Sequence, residues 1–163
     1  MSNLDQCCAK STADMGIIVK GICNCGDVSF EIAGDLPGMY QCHCSLCQKQ
    51  SGAAANAATI VDANHFKWLT GQDSIKKWKK ESGFNSHFCI NCGCPTPNPI
   101  GDHYMWIPVG LISSVESNIS AHLCLASKSS WDSPSDAERS YQDMPEDINE
   151  FFEFLQSKTV GNN

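Results

Sequence analysis

The chain is poor in positive charge and has a single arginine, Arg139, among its 163 residues. Acidic residues outnumber lysine plus arginine by 18 to 11, which gives a formal net charge of −7. Proteins that bind nucleic acid need clustered lysine and arginine to displace counterions from phosphates. The lysines around Trp78 are better explained as the solvated face of a strand. We therefore expect no nucleic-acid partner.

The sequence also lacks an apolar run long enough to span a bilayer. Its first residues have neither the basic start nor the apolar segment of a signal peptide. Eleven cysteines would suit a secreted disulfide scaffold, but without a secretion signal we expect reduced thiols and a cytoplasmic protein. These absences predict a protein without a membrane role, whose cysteines are available for metal binding.

The most concentrated set of potential metal ligands is a cysteine triplet within six residues: Cys42, Cys44 and Cys47. Three thiolates this close can converge on one zinc ion, and a zinc with three protein ligands keeps a fourth position open for water or substrate. An open position is typical of a catalytic site. Four other residues could supply the fourth ligand instead: Cys94, Cys124, His43 and His87.

Two short-spaced pairs, Cys23 with Cys25 and Cys89 with Cys92, flank the triplet in sequence. Together they offer the four thiolates of a closed, structural zinc site. Spacing alone also permits exchanged pairings, for example Cys42 and Cys44 with Cys89 and Cys92. The remaining histidines are expected to be ordinary strand or turn residues: His65, His103 and His122.

Short alternating segments predict a mainly β fold. Val28, Phe30 and Ile32, for example, share one face of a strand. Residues 53–61 fit either a buried strand or part of a helix, and the prolines of residues 95–99 restrict that stretch to a loop or a sheet edge. Strands are predicted at 18–22, 28–32, 39–41, 66–69, 74–78, 85–88, 103–109 and 119–126.

One longer helix is predicted near the end of the chain, where apolar residues recur with helical spacing and Pro145 occupies the first turn. Its apolar face should pack on the sheet, and a single helical turn is predicted at residues 45–50. The apolar positions of the longer helix are Ile148, Phe151, Phe152 and Leu155.

The chain has no linker that would divide it into separate domains. Residues 1–15 lack periodicity and predict a flexible arm, in which Cys7 and Cys8 are ordinary exposed thiols. Residues 16–145 form the predicted zinc-binding domain. Residues 146–163 form the C-terminal helix and a tail, packed on the same domain.

Several motifs resemble the glutathione-dependent formaldehyde-activating enzyme family, which shares its domain with centromere protein V. The resemblance covers roughly residues 17–145, and the order of the cysteine motifs makes it specific. The motifs are residues 21–30 (GICNCGDVSF), 42–52 (CHCSLCQKQSG), 66–71 (FKWLTG), 88–93 (FCINCG), 109–111 (VGL) and 122–131 (HLCLASKSSW).

The resemblance implies a tent-like arrangement of short antiparallel sheets with two zinc ions per chain. It assigns structural zinc to Cys23, Cys25, Cys89 and Cys92, and catalytic zinc to Cys42, Cys44 and Cys47. Two positions depart from the family pattern: Gln48 stands where many relatives have arginine, and Cys94 stands where a small or hydroxyl residue is usual.

The leading functional hypothesis is a zinc-dependent carbon-sulfur lyase that acts on adducts of an aldehyde and a small thiol, with glutathione implied by the resemblance. An open zinc can polarise an aldehyde oxygen or hold a thiolate. Lys49 is a candidate for binding the carboxylates of the thiol. The alternative is a protein-binding module in which both zinc ions are structural.

Overall fold

The structure is a computed structural model that describes residues 16–113 and 118–159. Within these ranges the chain forms two α-helices, α1 (Ser45–Ser51) and α2 (Ile148–Gln156), four 3-10 turns and eleven short strands. The strands are β1 (Ile18–Ile22), β2 (Ser29–Ala33), β3 (Met39–Cys42), β4 (Asn56–Asp62), β5 (Phe66–Thr70), β6 (Ile75–Lys79), β7 (Asn85–Cys89), β8 (Asn98–Ile100), β9 (Tyr104–Pro108), β10 (Ile119–Leu123) and β11 (Arg139–Ser140).

These strands form three sheets. The largest has six strands in the order β11-β10-β3-β4-β9-β8, the second has the order β1-β2-β5, and β6 pairs with β7 in a ribbon. A mainly β fold with short sheets and a C-terminal helix is therefore confirmed. One detail differs from the expected antiparallel arrangement, because β10 runs parallel to both β3 and β11. Parallel pairing joins strands that are distant in sequence, so no local sequence pattern predicts it.

Apolar residues pack on both faces of the large sheet. On one face, the aromatic residues of α2 cover Tyr40, Ile60 and Leu123. The rings of Tyr40 and Phe151 meet edge to face with centroids 5.4 Å apart, a favoured geometry for aromatic pairs. On the other face, Phe30 of the three-stranded sheet lies in a cluster with Ile107. The large sheet therefore forms the centre of the hydrophobic core.

Helix α2 begins later than predicted. Asp147 is its N-cap and accepts hydrogen bonds from the backbone N–H groups of Asn149 and Glu150, so the predicted place of Pro145 in the first turn is wrong. Ile148 was expected on the buried face but is exposed, whereas Phe154 is buried. The Asp147 cap fixes where the helix begins, and the packing of the helix decides which face is covered.

The structure decides one local prediction that was open and confirms two others. Residues 53–61, which fitted a strand or a helix, contain most of β4, and the proline-rich stretch supplies the edge strand β8. Helix α1 occupies the predicted helical turn and ends at Gly52, whose φ of 66° lies in the left-handed region. This conformation favours glycine. The predicted arm at residues 1–15 and the tail at 160–163 lie outside the described residues.

No helix in the described ranges is long and apolar enough to cross a membrane.

Glycine at position 21 allows a close contact between β1 and β2. Gly21 pairs with Phe30 across the two strands, and a Cβ atom at position 21 would overlap the Phe30 ring. Phe30 is fully buried, so its ring has little room to move. The phenylalanine therefore fills the space that a side chain at position 21 would need.

We predict that Gly21→Ala lowers the free energy of unfolding by about 1–3 kcal/mol, the usual range for overpacking a core. Gly110→Ala is the matched control, because a Cβ there meets nothing within 4 Å. Denaturant unfolding of both variants measures the difference. Equal stability of the two variants would contradict the packing argument.

Candidate functional site

The first cysteine cluster joins two separate parts of the fold. Cys23 and Cys25 lie in the turn between β1 and β2, Cys89 ends β7, and Cys92 follows it. The four sulfurs lie within 4.8 Å of one another, with Cys25 Sγ 3.5 Å from Cys23 Sγ and 3.6 Å from Cys89 Sγ. We call this group the four-sulfur cluster. Its geometry and soft donors suit a metal ion with a closed tetrahedral shell.

Backbone N–H groups and neighbouring thiols perturb the acidity of this cluster. Hydrogen bonds from the N–H groups of Cys94 and Cys25 lower the pKa of Cys92 to about 6. The Asp27 N–H lowers the pKa of Cys25, but desolvation and the three neighbouring thiols outweigh this effect and raise the pKa of Cys25 to about 12. The metal-free cluster therefore keeps some of its protons at neutral pH. Binding of a metal ion, which requires thiolates, would release them.

The second cluster lies at the end of β3. Cys42 is the last residue of that strand, Cys44 is the N-cap of α1, and Cys47 lies in the first turn of the helix. Their sulfurs are within 4.8 Å of one another, and Cys44 Sγ accepts the Cys47 N–H at 3.4 Å. We call this group the three-sulfur cluster. A hydrogen bond with Cys47 and burial raise the pKa of Cys42.

The two groups are the predicted sets, and the exchanged pairings that spacing allowed do not occur. Two of the described cysteines, Cys94 and Cys124, belong to neither cluster. Cys94 Sγ accepts the Asn24 N–H at 3.4 Å, so it supports the turn of the four-sulfur cluster without belonging to it. In the described ranges, no histidine belongs to either group.

The side chain of His43, which lies between Cys42 and Cys44 in sequence, makes hydrogen bonds to groups outside the three-sulfur cluster. Its side chain is 1% exposed, its Nδ1 lies 2.8 Å from Asp132 Oδ2, and its Nε2 lies 2.9 Å from Nδ1 of His122. His122 Nε2–H donates to the Ser135 carbonyl at 2.9 Å, and burial lowers the pKa of His122. Both ring nitrogens of His43 are therefore occupied, which removes it as a fourth ligand.

The side chain of Gln48 also supports the three-sulfur cluster through hydrogen bonds. Its Nε2 donates to the carbonyls of His43 at 2.6 Å and Ser127 at 3.0 Å, while Ser129 Oγ–H donates to its Oε1 at 3.0 Å. Gln48 thus ties α1 to the loop after β10. The sequence shows that Gln48 departs from the family pattern but not that it has this role, because its partners are distant along the chain.

Cys124 remains the strongest candidate for a fourth ligand. Burial, followed by the charge of Cys42, raises the pKa of its thiol to about 12. Its φ of 58° is the only positive value at a non-glycine position in the described ranges, a conformation that non-glycine residues rarely adopt. Its sulfur is nevertheless outside the group in which every sulfur lies within 4.8 Å of the others.

A pocket of about 180 Å³ borders the three-sulfur cluster. Amide and apolar side chains form most of its wall, and among the described residues that line it only Cys47 is ionisable. Lys49, the candidate for contacting carboxylates, is exposed on α1 and is not part of this wall. The lining residues are Cys47, Gln50, Phe84, Asn85, Asn98, Ile100 and Trp106.

Comparisons with known proteins found one matching family model and a similar solved structure. The model of one protein family, described as glutathione-dependent formaldehyde-activating enzyme, matches residues 18–125. Among solved structures, a Rhodobacter sphaeroides protein is similar, with 21% sequence identity, a TM-score of 0.49, and coverage of 60% of this chain and 90% of that chain. No curated protein matches. The family match includes all seven clustered cysteines.

The two clusters predict different effects of cysteine replacement. In protein loaded with Zn²⁺, Cys23→Ser should remove one ion and lower the free energy of unfolding by several kcal/mol, because the four-sulfur cluster links the β1-β2 turn to β7. Cys44→Ser should also remove one ion but leave the fold stable, since serine can replace Cys44 as the N-cap of α1.

Metal analysis and thermal unfolding of the two variants provide the measurement. Cys89→Ser should behave like Cys23→Ser. Equal destabilisation by Cys23→Ser and Cys44→Ser would show that the division into a structural and an open cluster is wrong.

Proposed function

The chain belongs to the glutathione-dependent formaldehyde-activating enzyme family, and from this premise we propose that it is a zinc-dependent carbon-sulfur lyase. It would make or break the hemithioacetal between an aldehyde and a small thiol, with glutathione and formaldehyde as the pair suggested by the family. The observation that carries the proposal is a three-sulfur cluster at a pocket wall, beside a separate four-sulfur cluster.

Both clusters fit zinc by the chemistry of their donors, since thiolates in sets of four and three are typical of closed and open zinc sites. In this proposal, one ion is held by Cys23, Cys25, Cys89 and Cys92, and a second by Cys42, Cys44 and Cys47. A zinc ion at the second cluster would supply Lewis acidity toward a carbonyl or a thiol.

The reaction needs no oxidant or reductant. In the direction of synthesis, the thiol sulfur forms a bond to the carbonyl carbon, the π electrons of the carbonyl move to oxygen, and the proton lost by sulfur ends on that oxygen. Cleavage reverses each change. The cysteines of the triplet determine where the reacting groups meet, and the adjoining pocket receives the remainder of the substrate.

His43, Asp132 and Gln48 act as positioning residues in this proposal. The two bonds of the His43 ring fix the backbone between Cys42 and Cys44, and Gln48 fixes the first turns of α1. A preorganised ligand set avoids the cost of rearrangement when substrate binds. Lys49 stays a candidate for an outer contact with carboxylates, because it is exposed on the helix that contains Cys47.

The proposal includes a cytoplasmic location, because seven ligand cysteines must stay reduced to bind metal.

The competing function is a zinc-stabilised protein-binding module without catalysis. One observation favours that function: Cys124 lies beside Cys42 and could become a fourth ligand. Four sulfur ligands at the triplet, measured by X-ray absorption of zinc-loaded protein, would support the module.

Activity provides the direct test of the lyase. In exchange spectroscopy of formaldehyde and its glutathione adduct, zinc-loaded protein should accelerate interconversion, and Cys44→Ser should return the rate to that without protein. Cys94→Ser is the matched control and should keep full activity, because Cys94 belongs to neither cluster and a serine Oγ can still accept the Asn24 N–H. No acceleration by zinc-loaded protein would refute the formaldehyde reaction.

The charge of the protein predicts how glutathione binds. Glutathione carries two carboxylates, whereas the chain has a net charge of −7 and Gln48 in place of a cation. We expect weak binding that depends on the glutathione sulfur, so S-methylglutathione should bind hardly at all. Calorimetric titration of zinc-loaded protein compares the two ligands. Equal affinities would show that the peptide, rather than the sulfur, is recognised.

A further inference from the structure

The lysines of β6 are divided between the two faces of the β6-β7 ribbon. Side chains alternate along a strand, so Lys77 and Lys79 share one face, whereas Lys76 lies on the other. Lys77 is opposite His87 of β7, and Lys79 is opposite Asn85. One face of the ribbon therefore carries two ammonium groups and an imidazole side by side.

This face borders a pocket of about 290 Å³, which we call the ribbon pocket. None of the described residues that line it is acidic, and within the described ranges neither Lys77 nor Lys79 forms an ion pair. Unpaired ammonium groups beside a partly enclosed space attract anions, because less solvent screens them there. The lining residues are Lys77, Trp78, Lys79, Gly83, Asn85, His87 and Pro99.

His87 adds a nearly buried polar group to the same wall. The residue is 9% exposed, and in the described part of the chain its ring makes no hydrogen bond. Only Thr96 Oγ1 and Asn98 Oδ1 are fully enclosed without a partner among the described residues, so the unbonded ring nitrogens of His87 keep accessible surface. Burial, followed by the charge of Lys77, lowers the pKa of His87, which places the Lys77 ammonium near the ring.

The imidazole needs a partner that accepts a hydrogen bond. Every protonation state of histidine has at least one N–H donor, and a nearly buried donor without an acceptor costs stability. The groups beside His87 in the wall include two more donors with positive charge, Lys77 and Lys79. A ligand with negatively charged oxygens would satisfy the donor and both charges together.

Size and spacing restrict the ligand further. Sites for drug-sized ligands commonly enclose about 300–1,000 Å³, and the ribbon pocket, with about 290 Å³, suits a small molecule. Lys77 and Lys79 are two residues apart on one strand, a separation of about 7 Å along the backbone. Two flexible side chains at this spacing can contact both ends of a short dicarboxylate or converge on one phosphate group.

We propose that the ribbon pocket binds a small dianion, whose charges are held by Lys77 and Lys79 and which accepts the N–H of His87. The ligand class is a short dicarboxylate or a phosphate monoester, since both carry two negative charges in a small volume. The site contains none of the clustered cysteines. The inference goes beyond the proposed function, and its test uses neither thiol nor aldehyde, so either proposal can fail without the other.

Calorimetric titration of zinc-loaded protein at constant ionic strength tests the site, with succinate and inorganic phosphate as separate probes. Succinate should bind about fivefold more tightly than butyrate, a four-carbon acid with one carboxylate, as one further contact with a lysine predicts. Tighter binding of succinate than of phosphate assigns the site to dicarboxylates, and the opposite order assigns it to phosphate monoesters. Absence of saturable binding of both probes would overturn the proposal.

Two variants with the same change in net charge locate the site. Lys77→Gln should lower the affinity for the tighter probe about fivefold, because one of the two charges is lost. Lys76→Gln is the matched control and should keep the affinity, since Lys76 lies on the same strand but outside the pocket. Equal losses in the two variants would show that net charge, rather than the pocket, attracts the anion, and the proposal would be wrong.

Nuclear magnetic resonance of the unsubstituted protein gives a readout that depends on no variant. The tighter probe should shift the ring resonances of His87 and leave those of His65 unchanged, because His65 lies outside the pocket. His87 resonances that stay in place at a saturating concentration of the probe would contradict the placement of the anion. Denaturant unfolding should show equal stability of both lysine variants and the parent, since Lys76 and Lys77 are exposed.

Discussion

The pairing of β3 with two strands from distant parts of the chain is the interaction on which the candidate site depends. β3 is antiparallel to β4 on one side and parallel to β10 on the other. Its last residue, Cys42, is opposite Leu123 in the parallel pair. This pairing brings the chain after β10 to the triplet, including Cys124. Loss of the β3-β10 pair would therefore separate the cluster from the loop that supports it.

The two cysteine clusters hold their chain segments in different ways. The four-sulfur cluster joins two turns from distant parts of the chain, where a metal ion would add to the hydrogen bonds of Asn24 with Cys94 and of Asn91 with Asp27. The three-sulfur cluster belongs to one continuous segment, which is already fixed by the buried bonds of His43 and by Gln48. A site supported in this way can keep one coordination position for substrate without losing its geometry.

Local patterns predicted much of the secondary structure and less of its packing. Strand alternation and the helical turn at residues 45–50 were reliable because they depend on neighbouring residues. The boundary of α2 was less accurate, since Asp147 as well as Pro145 can mark the beginning of a helix. Ile148 fitted the helical period, but the large sheet covers the face that contains Phe154. Burial depends on the partner surface and not on periodicity alone.

The sequence by itself determined the cysteine triplet, the two short-spaced pairs, the mainly β character and the family, because these depend on residues that are close together in the chain. The tertiary structure alone decided which pairs share a cluster and how Asp132, Gln48 and His122 support the triplet. It also decided that Asn98 lines a pocket together with Cys47. These residues are far apart along the chain, and only the arrangement of the strands makes them neighbours.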